Sequence, residues 1–162
     1  GIAKLFSDNR DYYLFDSFEW LPEAKAIDGS EAIRWQHDKQ GATYFDNCKA
    51  EIDFAQKAMN LSGAKNCHIT KGWFKDSLPK FDRSLKIAIL RLDGDWYEST
   101  MECLNNLFSC VSEGGIIIFD DYYTWDGCAK ALHDFLSRNN DAGRIKQFNN
   151  AVCYLLKEKM KA

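Results

Sequence analysis

The sequence predicts an α/β fold built on a mostly parallel sheet, and three observations carry that reading. Two near-continuous aliphatic runs, Lys86 to Leu92 and Ile116 to Asp120, lead into carboxylates and are separated by a helical pattern. That is how neighbouring parallel strands covered on both faces look in sequence. Strand-like and helical segments alternate through most of the chain, which implies right-handed crossovers between parallel strands. The tail departs from this rule: Arg144 to Phe148 and Val152 to Leu156 are joined by Asn149-Asn150-Ala151 and predict a terminal antiparallel hairpin.

Taken in order, Tyr12 to Asp16 is the first strand-like run, and only Gly1 and a helical scrap, Ile2 to Phe6, stand near the start. Residues 22–42 are rich in charge and turn residues and predict a long loop or lid. Residues 43–61 place Phe45, Cys48, Ile52, Ala55 and Met59 at helical spacing, and Asn66 to Thr70 reads as the next strand. After Lys86 to Leu92, residues 97–110 form a helix with Met101, Leu104, Leu107 and Phe108 inward. A last helix begins after Asp126 and turns Ala129, Leu132 and Leu136 to the core. A mostly parallel sheet closed by a hairpin narrows the choice to a Rossmann-like, class I methyltransferase sheet.

The bulk numbers bound the function. A chain of 162 residues suits one domain, 1–162, with a substantial core. Its 21 basic and 24 acidic residues give −3 with no basic patch, which argues against nucleic acid as a partner. No run approaches the ~18 apolar residues of a membrane span and no secretory signal stands out, so no membrane role is expected. The six cysteines form no C-x-x-C pair and read as small buried hydrophobes in a reducing, cytoplasmic setting. His37, His68 and His133 lie far apart in sequence, and no ligand spacing supports zinc. Homo-oligomerisation is left open.

A nucleotide-type cofactor rests on a Gly-rich turn after a first strand, with an acid about 20 residues on for the ribose hydroxyls. Asp16 closes its strand as such an acid would. No first strand and no Gly-rich turn precede it, and Gly114-Gly115 leads into a strand instead of joining a strand to a helix. The expectation is a sheet lacking its first strand and Gly-rich loop.

Four ordered motifs then carry a resemblance. They are Asp16-Ser17-Phe18-Glu19-x-Leu21-Pro22, Gly72-Trp73-Phe74-Lys75-Asp76-Ser77-Leu78-Pro79, Leu92-Asp93-Gly94-Asp95-Trp96-Tyr97-Glu98-Ser99-Thr100, and Gly114-Gly115 through Asp120-Asp121-Tyr122. Together they resemble the macrocin O-methyltransferases, which methylate sugar hydroxyls of antibiotics with S-adenosylmethionine and Mg²⁺. The resemblance implies a class I methyltransferase fold without its N-terminal part. It places the metal acids on Asp93, Asp120 and Asp121, the cofactor contacts on Asp16, Ser17, Gly72 and Trp73, and a histidine base near His37. The acceptor it implies is a hydroxylated small molecule, a sugar of a natural product.

The residues make chemical sense in those roles. Sugar O-methylation needs a hydroxyl shifted towards alkoxide, and a Mg²⁺ on oxygen ligands lowers that pKa and orients the nucleophile. A histidine accepts a hydroxyl proton near neutral pH. Asp95 has Glu98 three residues on and reads as a capping box, and Asp126 reads as an N-cap. Trp20, Trp35, Tyr122, Tyr123 and Trp125 either shape an acceptor pocket or pack a lid, while His68 and His133 read as structural. The rival from another class is a non-catalytic fragment or pseudoenzyme that keeps the fold without cofactor. A metal-dependent hydrolase is weaker, because no G-x-S-x-G occurs.

Overall fold

The computed structural model of the chain describes residues 5–6, 9–149 and 151–158. Of the scrap Ile2 to Phe6, only Leu5 and Phe6 fall inside that range, as does all of the hairpin turn except Asn150.

The strands are β1 (Tyr12–Asp16), β2 (Cys67–Lys71), β3 (Ile87–Leu92), β4 (Val111–Phe119), β5 (Lys146–Phe148) and β6 (Val152–Leu156). The helices are α1 (Ser30–His37), α2 (Ile52–Ser62), α3 (Phe74–Ser77), α4 (Tyr97–Leu107) and α5 (Asp126–Arg138). Alternation gives parallel pairing where predicted: β1 with β2, and β3 with β4. The tail forms the expected hairpin, β5 against β6, and β6 runs antiparallel to β4.

Among the described residues the strands make two sheets, β1-β2 and β3-β4-β6-β5. Among the described residues β1 and β3 carry no ladder to each other.

The core lies between the four-stranded sheet and the α4–α5 pair. Ile117, Phe119, Leu104, Leu132 and Cys153 are each at most 1% exposed there, and Phe15, Phe74 and Phe81 pack onto it from the two-stranded side. Burying each large aliphatic or aromatic side chain contributes about 1.5–3 kcal/mol. Four cysteines (103, 110, 128 and 153) are buried as small hydrophobes, whereas Cys48 is exposed and Cys67 half-buried; all six are free thiols.

Gly114-Gly115 has a definite task. The β3–β4 register jumps from Ile87↔Val111 to Ile89↔Ile116. Gly114 takes φ +76°, and a Cβ on Gly115 would sit 2.8 Å from Val111 Cγ1 and 2.9 Å from the Ser112 carbonyl oxygen. Glycine thus permits the bulge that re-aims β4 before its buried half.

Three local expectations are corrected. Residues 22–42 are not a plain loop, because they contain α1. The helix expected over 43–61 begins only at Ile52; Asp46, Asn47 and Cys48 take left-handed backbone, and Phe45 is 74% exposed. Tertiary bonds override the periodicity here. Asn47 Nδ2 donates to the Leu21 carbonyl at 2.8 Å, and its Oδ1 accepts from Gln36 Nε2 at 2.8 Å, clasping the turn to α1. The capping residues differ too. Trp96 and Trp125, not Asp95 and Asp126, occupy the N-cap positions, and neither gives a side-chain cap. The cap of α4 comes instead from Asp28, 69 positions away, whose Oδ1 accepts the Tyr97 N–H at 2.7 Å.

Candidate active site

Asp93 follows β3 directly, and Asp120 and Asp121 follow β4. The last paired residues of these strands are Leu92 and Phe119, and the Asp120 N–H extends the ladder to the Leu92 carbonyl at 3.0 Å. All three acids therefore stand at the carboxyl edge of neighbouring parallel strands, where ligands of open α/β sheets sit.

Their side chains are not gathered as one three-ligand set. Among the described residues no group of three or more His, Cys, Asp or Glu has metal-holding geometry. Asp93 and Asp120 share a cation from the chain itself: Arg91 Nη2 lies 2.9 Å from Asp93 Oδ2 and also contacts Asp120 Oδ2. Asp121 turns elsewhere, its Oδ2 accepting the Asp95 N–H at 3.1 Å. Asp95 sits at φ +57° and accepts from Trp125 Nε1 at 2.9 Å.

Crowding four acids leaves its mark. Burial, the Asp95 charge and the Asp93 and Asp120 charges push the Asp121 carboxyl up to about 7, although the Asp95 N–H opposes the rise. Burial and Asp93 push Asp95 to about 6 against the Trp125 bond. Burial also raises Asp93, with Arg91 opposing. Such groups carry unfavourable charge at neutral pH unless a cation joins them.

Beside this edge is a cavity of about 530 Å³ lined by Asp16, Ser17, Trp20, Trp73, Phe74 and Asp93, among others. Asp16 accepts the Phe18 N–H on Oδ1 at 2.6 Å, and Ser17 Oγ accepts the Glu19 N–H at 3.2 Å. These bonds fix a tight turn in which Phe18 takes φ +51°. The fold thus brings Asp16, Ser17, Trp73 and Asp93 to one cavity.

Gly72 is placed otherwise. Its N–H holds the Asp16 carbonyl at 2.9 Å, but it lines a second cavity of about 430 Å³ over β1 and β2, whose walls include neither Asp93 nor Asp120. His37 ends α1, is exposed, and lines neither cavity. His68 stacks on Tyr13 at 4.5 Å and meets Asp11 at 3.1 Å, and His133 bonds the Tyr122 hydroxyl at 3.0 Å, both structural arrangements. Trp35, Trp96 and Trp125 pack on one another with centroids 5.3–6.4 Å apart, a packed clasp over the acid loop, while Trp20, 54% exposed, faces the cavity.

Sequence reasoning missed Arg91 and Asp28. Arg91 interrupts an aliphatic run just before Asp93, which was a visible signal; Asp28 gave none, because its partner is remote.

The family model described as Macrocin-O-methyltransferase (TylF) matches residues 2–157. The chain belongs to this family. It is 35% identical over 144 residues to the 8-demethyl-8-(2,3-dimethoxy-alpha-L-rhamnosyl)-tetracenomycin-C 4'-O-methyltransferase of Streptomyces olivaceus, covering 86% of this chain and 52% of that protein. It is 36% identical over 159 residues to the mycinamicin III 3''-O-methyltransferase of Micromonospora griseorubida, covering 95% and 60%. Among solved structures, the O-methyltransferase NovP superposes with TM-score 0.75 at 26% identity, over 93% of this chain and 61% of that one. The calicheamicin methyltransferase CalS11 shares the fold at TM-score 0.69 and 18% identity, covering 91% and 60%. The chain thus has the class I methyltransferase fold expected, and it spans about half to three fifths of the length of these relatives.

Proposed function

We propose that this chain carries the acid edge and part of the cofactor cradle of an S-adenosylmethionine-dependent, Mg²⁺-assisted O-methyltransferase acting on a sugar hydroxyl of a natural product. The observation that carries the reading is Asp93 and Asp120-Asp121 closing adjacent parallel strands beside the cavity that Asp16 and Trp73 line. The donor set fits a hard divalent ion: every candidate ligand is a carboxylate oxygen, two of them already share one cationic group, and the third is half-buried with its charge poorly matched. Asp93, Asp120 and Asp121 would hold that ion, which supplies acidification and orientation of the acceptor hydroxyl.

The chain's own residues do the rest. Asp16 has one oxygen fixed by the Phe18 N–H and offers its carboxylate to the ribose hydroxyls. Trp73 and Phe74 flank the cavity with flat apolar faces for the adenine. The clasp of Trp35, Trp96 and Trp125 holds the Asp95 end of the loop, with Trp125 Nε1 donating to Asp95, while Asp93 stays open to solvent and to the cavity. No step is assigned to His37, whose ring is outside the cavity wall. The cytoplasm is the implied compartment, where free thiols persist.

Calorimetry with S-adenosylhomocysteine tests the cofactor half, with micromolar binding by the chain expected. In methyl transfer to a rhamnosyl or other deoxysugar glycoside, Asp120→Ala should cost at least a hundredfold with an unchanged circular dichroism spectrum. Full activity in EDTA rejects the metal role. The second reading, a fold-retaining remnant that binds no cofactor, is favoured by the two-plus-four sheet, and an undetectable heat of binding selects it.

A further inference from the structure

The feature that the proposed reaction leaves unused is Arg91. It lies on β3 opposite Ile118, and its Nη2 touches one carboxylate oxygen from each of two strands, Asp93 Oδ2 and Asp120 Oδ2. A single atom bonded to both oxygens stands where an ion shared by those two acids would have to stand. Among the described residues, Arg91 is the basic side chain bonded to this pair; Lys25 goes to Glu98, Lys130 to Asp134 and Arg34 to Glu31. Its side chain is 56% exposed, so the guanidinium has solvent to move into, whereas the Asp120 side chain is only 23% exposed.

The guanidinium nitrogen and a divalent ion cannot both occupy the position between Asp93 Oδ2 and Asp120 Oδ2. The two repel, and an ion bridging those two oxygens takes the lone pairs aimed at the point where Nη2 now sits. The cluster of Asp93, Asp95, Asp120 and Asp121 also sets four acids against this one base, so removing the guanidinium without replacement leaves like charges facing one another. We propose that Arg91 is an internal counter-cation: it holds Asp93 and Asp120 together in the metal-free protein, and a divalent ion binds by displacing it. Arg91 is thus a positioning residue that sets the affinity of the acid edge for its cation. The proposal rests on the metal reading above.

Two consequences separate it from a merely structural arginine. Without Arg91 the acids bind a divalent ion more tightly, because no resident cation must be displaced. When the ion binds the intact protein, the guanidinium is released.

The test uses the 162-residue chain, with Mn²⁺ followed by electron paramagnetic resonance and Mg²⁺ by calorimetry. Arg91→Met should bind Mn²⁺ at least tenfold tighter than wild type. Arg83→Met makes the same charge change at a residue bonded to Asn106, and should stay within twofold. In the wild-type protein, nitrogen-15 spectra should show the Arg91 guanidinium rotationally hindered without metal and freely averaging at saturating Mg²⁺. Wild-type binding with equal or weaker affinity in Arg91→Met overturns the displacement and leaves the metal reading intact. A guanidinium signal unmoved by bound Mg²⁺ overturns it equally, and this measurement decides the matter if Arg91→Met fails to fold. Mn²⁺ binding by neither protein removes the metal reading and this inference with it.

Discussion

Replacing Asp28 with alanine should cost this protein about 3 kcal/mol, from a residue far in sequence from every motif. Asp28 is 3% exposed. Its Oδ1 accepts the Tyr97 N–H at 2.7 Å and its Oδ2 accepts the Lys25 N–H at 2.7 Å. The first bond caps α4 immediately after the Asp93-Gly94-Asp95 loop, and the second closes the turn that leads into α1. A hydrogen bond to a charged group contributes roughly 1.5–3 kcal/mol, and loss of a cap alone costs about 0.5–2 kcal/mol. Two such bonds end at once and two backbone donors lose their acceptor, which gives the estimate once partial rehydration is allowed. A loss of that size is a large part of the 5–15 kcal/mol typical of a domain. Urea unfolding followed by tryptophan fluorescence measures it, since Trp35, Trp96 and Trp125 pack beside the capped turn. Asp28→Asn keeps an acceptor for Tyr97 but none for Lys25 and should recover about half. A loss below 1 kcal/mol for the alanine variant, with an unchanged denaturant slope, refutes the reasoning.

Gly127→Ala probes the same junction from α5: a Cβ there would lie 2.3 Å from Asp28 Oδ1 and 2.9 Å from the Tyr97 nitrogen, so about 1–3 kcal/mol should be lost in the same urea assay. Asp121 and Asp95 have folded pKa values raised to about 7 and about 6 from 3.8, so the folded state binds more protons than the unfolded chain between pH 4 and 7. Their contribution to stability is therefore lost as pH rises through that window, and the urea midpoint should fall from pH 5 to pH 8 in metal-free buffer. Asp121→Asn should flatten that slope. For the thiols, Cys103, Cys128 and Cys153 are pushed up to about 12 by burial and Cys110 is 1% exposed. A thiol reagent at pH 8 should therefore label at most Cys48 and Cys67 in the folded protein and all six after unfolding.

Patterns that depend on near neighbours were legible in the sequence; arrangements made by distant partners were not. Lys86 to Leu92 and Ile116 to Asp120 announced β3 and β4 because their aliphatic residues run almost without interruption, although only Leu90 and Leu92 of β3 are buried and Ala88, Ile89 and Arg91 are exposed. The missing β4 beginning, Val111 to Gly115, hid behind Ser112, Glu113 and two glycines, whose role in the bulge appears only with the register. α1 was hidden by its polar composition, since only Ala32 of its eight residues is buried. At the site, the ends of β3 and β4 put Asp93, Asp120 and Asp121 at one edge as expected. Side-chain direction was not readable: Arg91 draws two of the acids together, and a left-handed Asp95 turns the third towards its own N–H. The Asp95-x-x-Glu98 spacing misled for a similar reason, because Trp125 takes the Asp95 carboxylate and Lys25 takes Glu98.

The division into two sheets sets the mechanics of the cavity. In a continuous sheet, the separation of Asp16 and Asp93 would be spanned by a backbone ladder as stiff as the strands themselves. Among the described residues β1 and β3 share no rungs, and side chains couple the Asp16 wall to the Asp93 wall: Phe15, Phe74 and Phe81 meet the main core, and Trp96 Nε1 donates to the Pro22 carbonyl. Greasy contacts slide where hydrogen-bonded rungs would resist. The span between the two walls is therefore set by side-chain packing and single hydrogen bonds and not by a backbone ladder.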